Sequence, residues 1–233
     1  MEKSMNKKSK EKGSISNIIS LEFLGYDFAK WSAALPMLVF FRPKIFYPFG
    51  KPNKKGKLII SSNHIGALDW VRIGFVFPFR RHWTLTRVEC FNTKFNTFIF
   101  NSLKCLPVDR ENFSMDTYHR IPELLKRGKI VLFFSEGRVN FKNNDVQDFK
   151  MGTVFFSVMN DTPIIPIYLV KTDNYLTQRC HIVVGKEFNP KDYCEGIPSI
   201  ADIARINEEL RKKECELGQW HDSYMKSKKI NKL

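Results

Sequence analysis

From Lys57 onward, short apolar runs alternate with longer segments whose apolar positions recur at helical spacing. KLIIS at 57–61, WTLTR at 83–87, CLPV at 105–108, KIVLFFS at 129–135, PIIPIYLV at 163–170 and CHIVVG at 180–185 predict strands. Between them, ALDWVRIGFVF at 67–77, FNTKFNTFIFNS at 91–102, a segment from Ser114 to Arg127, and one beginning near Lys150 predict helices. Ser114 fits an N-cap, and Pro122 predicts a kink. Strands alternating with helices build an α/β domain over residues 57–233, with a mixed, mostly parallel sheet flanked by helices. From Ser199 onward, Ile200, Ile203, Ile206, Leu210 and Leu217 recur at near-helical spacing among charges, which predicts a helix packed on the domain with a solvated outer face.

The N-terminal part is patterned differently. Residues 1–14 are polar and lysine-rich, as in a disordered tail. Residues 15–56 are dense in large apolar groups, and Pro36 and Pro43 interrupt any single long helix, so a helical hairpin lying on a membrane is expected. Phe23, Leu24, Tyr26, Phe28, Trp31, Leu38, Phe40, Phe41, Phe46 and Tyr47 are its candidate anchors, although the same residues could form core. The longest uncharged apolar stretch, Trp31 to Phe41, is about half of what a membrane-spanning helix needs.

Charge narrows the partners. With 38 Lys and Arg against 24 Asp and Glu, a net charge of +14 favours something anionic: lipid head groups, phosphorylated substrates or nucleic acid. Lys3, Lys7, Lys8, Lys10 and Lys12 suit anionic head groups. A mean hydropathy of -0.30 is that of a soluble or peripheral protein. The five cysteines contain no CxxC pair and leave one over, against a disulfide framework or a zinc site and in keeping with a reducing cytoplasm. The basic start is followed by a segment broken by Glu22, Asp27 and Lys30 with no small-residue cleavage site, so export is not expected.

The sequence holds no GxGxxG, GxxxxGK[ST] or GxSxG, which removes the motif-level case for dinucleotide binding, P-loop chemistry or a serine hydrolase elbow. What remains begins at the end of KLIIS. There Ser62-Asn63-His64 leaves the strand, and Asp69 follows in the first turn of the next helix. A histidine at the carboxyl end of a strand sits where α/β sheets bind ligands, and a nearby carboxylate can fix its tautomer, so His64 is a candidate general base. With five histidines and eleven aspartates, an HxxxxD spacing arises by chance in about one such chain in four. On spacing alone, a loop histidine and an ordinary first-turn helix carboxylate remain open.

Three further polar clusters fall where strands end or begin: Pro107-Val108-Asp109-Arg110, Phe134-Ser135-Glu136-Gly137-Arg138, and Pro163-Ile164-Ile165-Pro166. With NHIGALD at 63–69, LPVDR at 106–110, TPIIPI at 162–167 and FKMG at 149–152, residues 58–186 resemble the glycerolipid acyltransferase family that includes lysophosphatidic acid acyltransferases. The third block departs from the family's F-P-E-G-T-R form. Ser135 stands at its proline, Arg138 at its threonine and Val139 at its arginine, and SEGRVNF is similar to the variant in tafazzin-type phospholipid transacylases.

The resemblance implies that His64 takes a proton from an acceptor hydroxyl attacking an acyl thioester, with Asp69 orienting the ring and no covalent acyl-enzyme. Arg110 and Arg138 become candidates for gripping the acceptor phosphate, the planar guanidinium suiting that group, though either could be a surface ion-pair partner. Glu136 and Gly137 fit a tight turn in which the carboxylate holds an arginine or a substrate hydroxyl. Asn63 is the remaining substrate-binding candidate. No metal or resident cofactor is implied: acyl-CoA or acyl carrier protein serves as co-substrate, a lysophospholipid as acceptor, and the cytoplasmic face of a membrane as the working surface, with no nucleic acid. A phospholipid transacylase and a non-catalytic basic binding module are the alternatives.

Overall fold

The computed structural model describes residues 24–41, 43–53, 55–109, 115–140, 146–172, 179–194, 196 and 198–230. The basic tail, Phe23, Arg110 and Ser114 lie outside them, as do the side chains of Phe40 and Phe41.

Seven strands form one sheet: β1 (Lys44–Phe46), β2 (Leu58–Ser62), β3 (His82–Arg87), β4 (Cys105–Val108), β5 (Ile130–Phe134), β6 (Ile164–Leu169) and β7 (His181–Val184). Their order is β1-β7-β6-β2-β5-β3-β4, and every pair is parallel except β6 with β7. The mixed, mostly parallel α/β sheet expected from the alternation is therefore present. Parallel strands need crossover connections, and here those include α2 (Asp69–Val76), α3 (Lys94–Ser102), α4 (Met115–Lys126) and α5 (Gly152–Met159).

The central strands are covered on both faces, which is why they read as continuous apolar runs rather than alternating ones. All five residues of β2 are buried. Ile59, Val131 and Phe133 pack with Ile121 and Leu125 of α4 and with Val154 and Phe156 of α5. Leu58, Ile60 and Leu132 point the other way, against Ile73 and Val76 of α2. Each such side chain contributes roughly 1.5–3 kcal/mol by leaving water.

The last helix, α6 (Ile200–Ile230), starts with a capping box: Ser199 Oγ accepts the Asp202 N–H at 3.1 Å, and Asp202 Oδ2 accepts the Ser199 N–H at 3.0 Å. Its inner face buries Ile206, Asn207, Leu210, Glu214, Leu217, Gly218 and His221. That face is not purely apolar, and its polar members matter below.

The N-terminal segment departs from an all-helical expectation. α1 (Leu24–Pro36) continues into a π-helical turn at Met37–Phe41, but Lys44–Phe46 is the edge strand β1, paired with β7. Two of the candidate anchors are core instead: Tyr26 is fully buried with its hydroxyl 3.1 Å from His82 Nδ1, and Phe46 packs with Val183 and Leu217. Lys30 is buried too, its ammonium donating to the Pro78 carbonyl at 3.0 Å just beyond α2. Leu24, Phe28, Leu35, Leu38 and Val39 remain exposed. No helix of the described residues is long and apolar enough to cross a membrane.

Candidate active site

His64 follows β2 at the carboxyl edge of the sheet, and Asp69 opens α2. The loop between them is short, so it curls round the Asp69 carboxylate. Oδ2 accepts the backbone N–H groups of Ile65 at 2.7 Å and Gly66 at 2.8 Å and meets His64 Nδ1 at 2.8 Å. Oδ1 faces the Arg72 guanidinium at 3.8 Å, one helical turn on. Asp69 is fully buried, so those donors and the arginine replace the water that a carboxylate needs.

This arrangement fixes the chemistry of the ring. With Nδ1 donating to Asp69, the neutral tautomer leaves the lone pair on Nε2, which makes no hydrogen bond to the described residues. The His64 side chain is 20% exposed, so Nε2 can reach an incoming hydroxyl. The Phe134 ring stacks on the imidazole with centroids 4.0 Å apart and planes 14° from parallel. Phe134 is opposite Ser62 in the β2–β5 register, so the two strand ends meet at His64.

The turn after β5 carries the third block. Its backbone is tied to the first: Ser135 N–H donates to the Ser62 carbonyl at 3.2 Å, and Asn140 N–H donates to the His64 carbonyl at 2.7 Å. Glu136 lies buried in that turn; the backbone N–H groups of His64 and Gln147 and the Asn140 amide are near its carboxyl, but neither oxygen closes a hydrogen bond to the described residues. Burial outweighs those donors and pushes the carboxyl up to about 7. Gly137 has φ of 69° and hydrogen-bonds its N–H to the Phe134 carbonyl at 2.8 Å; a β-carbon there would press on Lys150 at 3.2 Å. The positive φ favours glycine, and the Lys150 side chain would have to give way to a β-carbon.

The remaining candidates separate. Arg138 stands exposed two residues beyond Glu136 and donates to Gln147 Oε1 at 2.5 Å, so it borders the turn on its solvent side. The expected arginine partner for Glu136 is not found among the described residues, where backbone N–H groups and an amide face it instead. Asn63, expected to contact substrate, pairs its amide with the Leu169 backbone: it donates to the Leu169 carbonyl at 2.9 Å and accepts the Leu169 N–H at 2.7 Å. The Val108-Asp109 block ends β4 at the same carboxyl edge but three strands from β2, about 14 Å at the usual strand spacing. Lys150 is exposed; its backbone N–H donates to the Ser135 carbonyl at 2.8 Å and its side chain lies over Gly137.

Arg72 is not among the residues the sequence singles out, although it is legible as a cation one turn after Asp69; Phe134 opens the third block, but nothing local tells that its ring stacks on His64. Glu214 was also missed, although a carboxylate between Leu210 and Leu217 on the apolar stripe of a helix is a departure from pattern that points inward.

The fold is shared with a solved protein. The crystal structure of the 1-acyl-sn-glycerophosphate (LPA) acyltransferase PlsC from Thermotoga maritima superposes with a TM-score of 0.59 at 14% identity, covering 83% of this chain and 78% of that one. A model of the Acyltransferase family matches residues 48–170, more than half of the chain and a span that contains His64, Asp69, Glu136 and both ends of the β2–β5 junction. This protein therefore belongs to the Acyltransferase family.

Proposed function

We propose that the protein transfers a fatty acyl group from an acyl thioester, carried by coenzyme A or by acyl carrier protein, to the free hydroxyl of lysophosphatidic acid, giving phosphatidic acid. The observation that carries this reading is the His64–Asp69 pair at the carboxyl edge, with Nδ1 committed to Asp69 and the side chain partly exposed. In the reaction Nε2 takes the hydroxyl proton as the oxygen attacks the thioester carbonyl. The buried Asp69 carboxylate stabilises the imidazolium that results. When the tetrahedral adduct collapses, the C–S bond breaks and the imidazolium returns its proton to the thiolate. General-base assistance of this kind supplies about 10²- to 10⁴-fold, and positioning supplies much of the rest. Arg138, at the rim of the Glu136 turn, and Arg110, beyond β4, are the proposed phosphate partners.

The reading also places the enzyme on the cytoplasmic face of a membrane. Ala34 and Met37 pack against Val71 of α2, so the apolar end of α1 and its π-helical turn run beside the helix that begins with Asp69. Leu35, Leu38 and Val39 there, with Phe95 and Phe98 of α3, form exposed apolar groups suited to a lipid interface.

The test is thiol release from acyl-CoA, and separately from acyl carrier protein, dependent on added lysophosphatidic acid, for wild type and His64→Ala at equal folded concentration. Acceptor-dependent release abolished in the variant supports the reading and names the donor. The Ser135-Glu136-Gly137-Arg138-Val139-Asn140 form of the third block favours a second reading, transfer between a phospholipid and a lysophospholipid. Acyl exchange in that mixture without any thioester would replace the first reading by the second.

A further inference from the structure

Beneath the catalytic edge runs a chain of buried hydroxyls that the reaction above does not use. Ser61 Oγ lies 2.7 Å from Ser135 Oγ, which lies 2.9 Å from Thr153 Oγ1. At its other end Ser61 hydrogen-bonds the Glu214 carboxyl of α6. Ser61, Ser135, Thr153 and Glu214 are each at most 2% exposed. The chain joins four elements: β2 three residues before His64, the turn one residue before Glu136, the first turn of α5, and the middle of α6.

Glu214 is an expensive residue to keep in that place. It is removed from water, and the charged group that acts on it among the described residues is Glu136, a second carboxyl. Burial and Glu136 both push its proton affinity well above that of an ordinary carboxyl, and the Ser61 hydroxyl and the Asn63 N–H oppose this only in part. A leucine would fill the position without desolvation cost, as Leu210 and Leu217 do on either side. As a neutral acid, however, Glu214 can donate to Ser61, while its Oε2 closes no hydrogen bond to the described residues. Ser61 can then donate to Ser135, and Ser135 to Thr153. An ionised Glu214 only accepts, so every hydroxyl in the chain must reverse.

We propose that Glu214 is a positioning residue for acyl transfer, acting through Ser61 and Ser135 to hold the strand end that presents His64 against the turn that presents Glu136. The proposal rests on the acyl-transfer reading of His64. Ser135 stands where the resembling block has proline, so the link between the two loops is a hydroxyl that a proline could not supply. The link reaches atoms that touch substrate only through the backbone, and α6 braces the same region again where Asn207 donates to the Phe149 carbonyl at 2.9 Å.

The experiment is kcat and KM for lysophosphatidic acid between pH 6 and pH 10, with melting temperatures, for wild type, Glu214→Gln, Glu214→Leu, Ser135→Ala and the Glu214→Leu/Ser135→Ala double variant. Glutamine mimics the neutral acid, donating to Ser61. Its kcat should stay within about threefold of wild type, and it should lack the alkaline decline that ionisation of Glu214 imposes on wild type. Leucine should lower kcat by about 10- to 100-fold, the scale of a small misplacement of reacting groups, with little change in KM. The double variant should fall no further than Glu214→Leu alone, because both cut one chain.

Equal kcat and superimposable pH profiles for wild type, glutamine and leucine would overturn the proposal and leave Glu214 as filler. If the leucine variant fails to fold, the glutamine profile and Ser135→Ala decide: an unchanged alkaline limb together with wild-type kcat for Ser135→Ala overturns it. Wild type inactive with both thioesters and with the phospholipid mixture removes the acyl-transfer reading, and this proposal with it.

Discussion

The Phe134 ring lies face to face with the His64 imidazole, 4.0 Å between centroids, so the imidazole is held from its flat side by the adjacent strand and from its Nδ1 edge by Asp69. Two constraints at right angles leave the ring little freedom to tilt. Replacing Phe134 by leucine removes the flat support and keeps an apolar side chain in the space. The expected result is a kcat lowered by about tenfold with KM nearly unchanged, measured as acceptor-dependent thiol release.

Asp69→Asn removes the charge that stabilises the imidazolium. An amide that keeps its oxygen on Ile65, Gly66 and Nδ1 must turn its NH2 group toward the Arg72 guanidinium, and the opposite orientation sets a donor against all three, so neither holds the ring as the carboxylate does. The expected loss in kcat is about 10³- to 10⁴-fold, the scale of a missing orienting carboxylate in other His-based sites. Arg72 should then be left without its buried anion, and a lowered melting temperature beside the kinetic loss would register that.

Asn63→Ala separates scaffolding from substrate contact. The Asn63 amide pairs with both backbone groups of Leu169, extending the β2–β6 pairing by one residue in side-chain form. Alanine leaves a buried N–H and a buried C=O without partners, which costs about 2–4 kcal/mol. Urea unfolding should show that loss. KM for the acceptor, measured where the variant is folded, should stay within about threefold of wild type.

Much of this was legible in the sequence because parallel sheets advertise themselves: runs such as KLIIS and KIVLFFS are apolar throughout, and the loops that follow them lie at one edge. His64 and Asp69 could be placed from that rule together with the order of the four blocks. Less legible was anything set by contacts between distant segments. Tyr26 and Phe46 have the composition of membrane anchors, yet the partners that bury them, His82 and Trp70 for one and Val183 and Leu217 for the other, lie far along the chain. Asn63 reads as a site residue by its neighbourhood, but Leu169, which claims its amide, is 106 positions away. The strand at Lys44–Phe46 is short and gains its ladder only from β7.

The Glu136 carboxyl gives a stability effect that runs against activity. Its proton affinity is raised in the folded chain, to about 7, by burial. The folded state therefore holds a proton between the ordinary carboxylate range and pH 7 that the unfolded chain gives up. Folding is favoured by this group below that window, and the contribution is lost as pH rises through about 7. Glu136→Gln is neutral at every pH and keeps the size of the side chain. Against wild type, its urea midpoint should be similar at pH 4.5 and higher at pH 8, while its acyl transfer at pH 8 falls because the turn beside His64 has lost its anion. A midpoint difference that does not grow between those two pH values would show that Glu136 holds its proton in the folded protein no more tightly than an ordinary carboxyl.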